Sequence, residues 1–140
     1  MIWNIRVPRV LCAMLVGAGV STSGALYQGL LKNPMVSPDI LGTTQAAAFG
    51  SAFGILMYFN FFEITLLSFS LGILSVFVTY TLSKIFRSDR ILGLILTGMM
   101  IGSLFSSLIS FVKLVADTEN QLPSITYWLM GSLASVKMID

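Results

Sequence analysis

The chain has no histidine, one cysteine and few charges. Without histidine, neither a Ser-His-Asp nor a Cys-His catalytic group can form. The acids are scattered, so a metal site built by this chain alone is not expected, and no cofactor is expected either. Cys12 has no partner for an internal disulfide. There is no P-loop and no lysine after a glycine-rich loop, so ATP hydrolysis must lie elsewhere and the chain is not expected to be an enzyme. Charged residues make up 10% of the 140, against roughly 25% in a soluble domain. The net charge of +2 is too small and too dispersed for nucleic-acid binding.

What fills the chain is apolar: 56% hydrophobic residues and a mean hydropathy of +0.90. An integral membrane protein follows, all-α, a polytopic transmembrane helical bundle. Spans are expected at 10–31, 40–62, 64–83 and 91–112, with a shorter interfacial helix at 125–136 and no strand. The second run opens with Thr43, Thr44 and Gln45, so it is expected to span incompletely or to line something wet. The hydroxyls of 64–83 are expected to bond back to carbonyls one turn earlier. Asn60 and Glu63 mark a tight turn, and 113–123 reads as a polar loop. Tyr127 and Trp128 suit a membrane–water boundary.

Small residues recur every fourth position. The rows are Ala13, Gly17, Ser21, Ala25 and Gly29 in the first span, Gly42, Ala46, Gly50 and Gly54 in the second, and Gly98, Gly102, Ser106 and Ser110 in the fourth. Such rows let helices approach closely. Gly17, Ser21, Ala25, Gly50, Gly54, Gly98 and Gly102 are the positions expected to pack.

The segment Lys32–Gly42 breaks the apolar pattern. Pro34 and Pro38 lack amide hydrogens and disfavour helix at the residue before them. Asn33 can cap the preceding helix, and Ser37 or Asp39 the next. The 84–90 loop, with Lys84, Arg87 and Arg90, favours the cytoplasmic side. Alternation then puts the 32–39 corner inside, and the N-terminus, Glu63 and 113–123 outside. Arg6 and Arg9 run against that trend. The N-terminus is not read as a signal peptide, because its apolar run is too long. The first residues look like the end of an apolar stretch already under way, and the last stop inside a patterned segment. A piece of a longer chain is expected.

Several short motifs occur in order. They are Arg6-Val7-Pro8-Arg9-Val10-Leu11, Val16-Gly17-Ala18, Ser23-Gly24-Ala25, Gln28-Gly29 and Asn33-Pro34-Met35, then Ser37-Pro38-Asp39-Ile40-Leu41-Gly42, Leu94-Ile95-Leu96-Thr97-Gly98 and Tyr127-Trp128-Leu129-Met130-Gly131-Ser132-Leu133. The series resembles the permease of the iron-siderophore, haem and vitamin B12 ABC importers. Those permeases are about twice as long, with ten spans. This chain resembles their second to fifth spans and the outer helix that follows.

The resemblance implies a bacterial or archaeal plasma-membrane protein. Its partners would be a second permease subunit in a homodimer or pseudo-dimer, cytoplasmic ATPase subunits, an extracytoplasmic substrate-binding protein and membrane lipid. It implies a cytoplasmic gate at Asn33, Pro34 and Met35 with Ile91 and Leu92, and docking of the binding protein on Arg6 and Arg9. The passenger expected is a ferric siderophore first, then haem or cobalamin. An uncharged path of Gly, Ser, Thr, Met and Leu suits a bulky solute better than a bare ion. Two other readings stay open: a small ion-coupled exporter, which would need an ionisable group inside a span, and a structural membrane subunit.

Overall fold

The computed structural model describes residues 5–85, 90–133 and 136. Trp3, Arg87, Asp89, Asp140 and most of the basic 84–90 loop lie outside them, as does the Arg90 side chain. The described residues form five helices and no strand, as the apolar pattern predicts: α1 Val7–Leu31, α2 Thr43–Leu56, α3 Phe61–Ser83, α4 Arg90–Val115 and α5 Gln121–Met130. Three of them (α1, α3 and α4 from Ile91) are long and apolar enough to cross a membrane. The chain divides into two compact units, Met1–Pro38 with Gly131–Asp140, and Asp39–Met130.

In the first unit, α1 runs 25 residues, about 37 Å at 1.5 Å per residue. Pro8 sits in its first turn, where a missing amide costs nothing. Lys32 ends it in the left-handed region at φ +49°. The Asn33 amide then reaches back to the Gln28 carbonyl (3.2 Å). The Asn33 side chain turns forward and accepts the Met35 amide at 2.9 Å. The segment folds back on its own helix. Gln28 Nε2 donates to the Val36 carbonyl (3.3 Å), and a Cβ on Gly24 would lie 3.4 Å from the Pro38 ring.

In the second unit, α2 is the central element and packs on α3, α4 and α5. It is 14 residues long, about 21 Å, well short of the ~30 Å hydrocarbon core. The span expected over 40–62 is therefore not one helix. Two devices shorten it. Gly42, not Ser37 or Asp39, precedes its first turn, in the left-handed region at φ +71°. At the other end Tyr58 is left-handed at φ +57°. The Tyr58 amide reaches the Ile55 carbonyl and the Phe59 amide reaches Gly54, a paired closure that ends a helix.

The other boundaries shift for local reasons. α3 starts at Phe61, three residues earlier than expected, because the Asn60 amide donates to the Glu63 carboxylate (2.8 Å). α4 continues to Val115, with Lys113 near its carbonyl end, where a cation is favourable. α5 starts inside the stretch read as a loop. Pro123 is tolerated in its first turn, and Gly131, at φ +70°, ends it.

Alanine and glycine let α2 touch its neighbours. A Cβ on Gly50 would stand 2.8 Å from Ser68 Cα, and one on Gly54 3.0 Å from the Ile64 side chain. Ala52, Val112, Ala116 and Ile125 are the buried core where α2, α4 and α5 meet, and Phe49 lies against Phe105 (5.8 Å between ring centres).

Candidate translocation and docking residues

The residues expected at a gate fall in both units. In the first, Asn33 is half-buried by its own turn, Pro34 is exposed and Met35 is 88% exposed. In the second, Ile91 and Leu92 are exposed in the first turn of α4. Arg6 precedes α1 and is exposed; Arg9 is half-buried one turn on, with Pro8 buried between them. Gly17, Ser21 and Ala25 are exposed, and a Cβ on Gly17 would meet nothing within 4 Å.

Gly98 faces non-helical backbone, and Gly102 meets both Gly42 and the Gln45 side chain of α2. A Cβ on Gly98 would collide with the Ile40 carbonyl oxygen, and one on Gly42 would stand 2.8 Å from the Gly102 amide nitrogen. The two α4 glycines are thus shaped around the Asp39–Gly42 corner. From the other side, the Thr79 hydroxyl of α3 donates to the Leu41 carbonyl (3.2 Å), and Thr79 is fully buried. The Asp39 carboxylate accepts from Thr44 Oγ1 (3.3 Å) and Gln45 Nε2 (3.5 Å).

Sequence reasoning singles out the Lys32–Gly42 break but not its contact with Thr79, whose hydroxyl it has bonding back within its own helix. Ser75, Thr79 and Ser83 are all buried at four-residue spacing. That small polar stripe was the available signal.

One exposed face of α4 is uncharged. Leu96, Met99, Met100, Ser103, Leu104 and Ser107 line a shallow depression of about 600 Å³. Ser103 donates to the Met99 carbonyl and Ser107 to that of Ser103. Their hydroxyls are satisfied within the helix, so they need no external partner. Between α3 and α4, Leu82, Ile85, Thr97, Met100, Ile101 and Leu104 line a cleft of about 470 Å³. The buried Thr97 hydroxyl makes no hydrogen bond there.

At the far end of the second unit, Gln121 is buried. Its amide nitrogen donates to the Leu56 carbonyl (3.1 Å), and its oxygen accepts the Asp117 amide (3.1 Å). The Asn120 amide beside Asp117 holds that carboxyl below the usual carboxylate range. Phe61 and Trp128 rings meet with centres 5.6 Å apart. No group of three or more metal-ligating side chains occurs among the described residues.

The molybdate import system permease protein of Haemophilus influenzae is 40% identical over 134 residues, 96% of this chain and 40% of that protein. The vitamin B12 import system permease protein of Klebsiella pneumoniae is 31% identical over 140 residues, 96% of this chain and 41% of that protein. A solved ABC transporter of metal-chelate type, in an inward-facing conformation, superposes with a TM-score of 0.82 at 42% identity, over 97% of this chain and 43% of that one. The chain thus spans about two fifths of the length of these relatives. All of residues 1–140 match one family of transport proteins, and the chain belongs to the FecCD transport family.

Proposed function

We propose that this chain forms part of the membrane permease subunit of an ATP-driven importer. The observation that carries the reading is the family match along its whole length, together with three helices able to span a bilayer. A second permease subunit would complete the path, separate ATPase subunits would supply the energy, and an extracytoplasmic binding protein would deliver the solute. In this reading the 32–39 corner and the start of α4 face the cytoplasm, and Glu63, α5 and Arg6 face outward. Asn33, Pro34, Met35, Ile91 and Leu92 narrow the path on the cytoplasmic side, and Arg6 and Arg9 receive acids of the binding protein. The described acids of the second unit lie in the 39–42 corner, in the first turn of α3 or in the 116–120 turn. That distribution disfavours an ion-coupled exporter, which needs an ionisable group within a span.

The passenger proposed is a metal chelate, a ferric siderophore first, with haem or cobalamin next. The uncharged Met and Ser wall of α4 suits a bulky solute held weakly. A second reading, molybdate, is favoured by the 40% identity to a molybdate permease. Proteoliposomes holding the complete transporter, its ATPases and its binding protein decide among them. ATP-dependent accumulation of an iron-labelled siderophore or of labelled molybdate identifies the cargo. No ATP-dependent uptake of either, nor of haem or cobalamin, would remove the importer reading.

A further inference from the structure

The helix α1 carries one amide side chain, Gln28, in its last turn. One and two turns earlier, Thr22 and Ser23 keep their hydroxyls inside the helix, on the Ala18 and Val20 carbonyls. Gln28 does the opposite. Its Nε2 reaches out of the helix and donates to the Val36 carbonyl, eight residues on (3.3 Å). Its own backbone carbonyl accepts the Lys32 and Asn33 amides. One residue therefore holds the following chain at 32, 33 and 36.

Val36 is buried, so a donor from the protein matters to its carbonyl. Gly24, four residues before Gln28 and so on the same face of α1, gives a second point of attachment. A Cβ there would lie 3.4 Å from the Pro38 ring. The turn between is closed by Asn33, whose side-chain oxygen accepts the Met35 amide (2.9 Å) and whose carbonyl accepts the Val36 amide (3.4 Å). The Lys32–Pro38 segment thus lies back along the Gly24–Gln28 side of α1. Met35 stands out from it, 88% exposed. With the backbone fastened at 33 and at 36, only the Met35 side chain is left free to move.

We propose that Gln28 is a positioning residue: its side-chain amide clamps the Lys32–Pro38 segment to α1 and fixes where the Met35 side chain stands. Gln28 touches no passenger; it acts through the turn that presents Met35. The place of Met35 in a gate rests on the importer reading, but the clamp itself does not. Loss of one ordinary hydrogen bond shifts such a local equilibrium between held and released states by about fivefold.

The test is the mobility of a nitroxide at Met35→Cys, read by continuous-wave spin resonance on the complete purified transporter. The background is freed of other accessible thiols, Cys12 included. A second label at Leu30→Cys, exposed on α1, reports on the helix itself. Gln28→Met has a similar length but no donor, and it should raise the ratio of mobile to ordered Met35 label by about fivefold. Gln28→Lys keeps a donor and should hold the parental spectrum. The Leu30 label should be unchanged in both. Gln28 is exposed, so neither substitution disturbs a packed core. Gly24→Leu, whose side chain must push the Pro38 ring away, should mobilise the Met35 label in the same way and serves where Gln28→Met does not accumulate. Three results overturn the proposal. Gln28→Met and Gly24→Leu both leave the Met35 label as it was, Gln28→Lys mobilises it as much as Gln28→Met, or the Leu30 label loosens equally. Uptake is not read, so failure here is separable from failure of the importer reading.

Discussion

Gln121 Nε2 donates to the Leu56 carbonyl across 3.1 Å, joining the first turn of α5 to the last turn of α2. Leu56 belongs to a terminal turn whose carbonyls have no partner within the helix. The Gln121 oxygen takes the Asp117 amide at the same time. One buried amide thus satisfies two backbone groups from different turns.

Gln121→Leu should remove the partner of the Leu56 carbonyl and of the Asp117 amide, each bond contributing about 0.5–1.5 kcal/mol. The thermal midpoint of the purified protein in detergent should fall by several degrees. Gln121→Glu sets a carboxylate against the Leu56 carbonyl in a buried position, so the midpoint should fall at least as far. An unchanged midpoint for Gln121→Leu would mean that water replaces both bonds at no cost.

The glycines divide into two groups. Gly50→Ala forces a Cβ to within 2.8 Å of Ser68 Cα, and Gly98→Ala drives one into the Ile40 carbonyl. Both should destabilise the fold by about 1–3 kcal/mol through overpacking. Gly17→Ala meets nothing and gains about 0.5–1 kcal/mol of helix propensity. Gly17→Leu should fail only where a partner helix is required, in assembly of the complete permease. Equal denaturation behaviour of all the alanine variants, or normal assembly with Gly17→Leu, would contradict this division.

Arg6→Ala with Arg9→Ala should weaken docking of the binding protein while leaving permease levels unchanged. The planar fork of arginine makes bidentate bonds to carboxylates. Rim charges act mainly on encounter, so the defect should be larger at low salt and shrink as salt rises. Charge reversal to Glu should be worse, with partial rescue by reversing the partner acids. Wild-type affinity of the double alanine variant at low salt would assign these arginines to headgroup anchoring.

Cysteines at Asn33 or Met35, or at Ile91 or Leu92, should crosslink across the permease dimer when the path is closed. Transport should then stop and resume on reduction. Crosslinked protein that still imports at the full rate would move the gate elsewhere.

Most of this architecture was legible from hydropathy, because a membrane leaves helices as the only economical answer for uncharged runs. The family was legible from ordered short motifs. The shortness of α2 was hinted at by Thr43, Thr44 and Gln45, but its ends were not legible. Ile40 and Leu41 are more apolar than the Gly42–Gln45 stretch that follows, yet they lie outside the helix, where Thr79 takes one carbonyl and Gly98 leaves room for another. Such a decision is made between segments 38 and more residues apart, where local pattern carries no information. Gln121 escaped for the same reason. A lone glutamine in a polar stretch reads as solvated until the end of α2 is placed against it.

The contact between Phe61 and Trp128 has a practical outcome. The chain holds two tryptophans, Trp3 and Trp128. With Trp3→Phe, the remaining indole sits in the last turns of α5, ring against ring with the first residue of α3. Its emission then becomes an intrinsic optical gauge of whether α5 is seated. The peak shifts red when the short helix lifts into water and blue when it settles, with no dye attached.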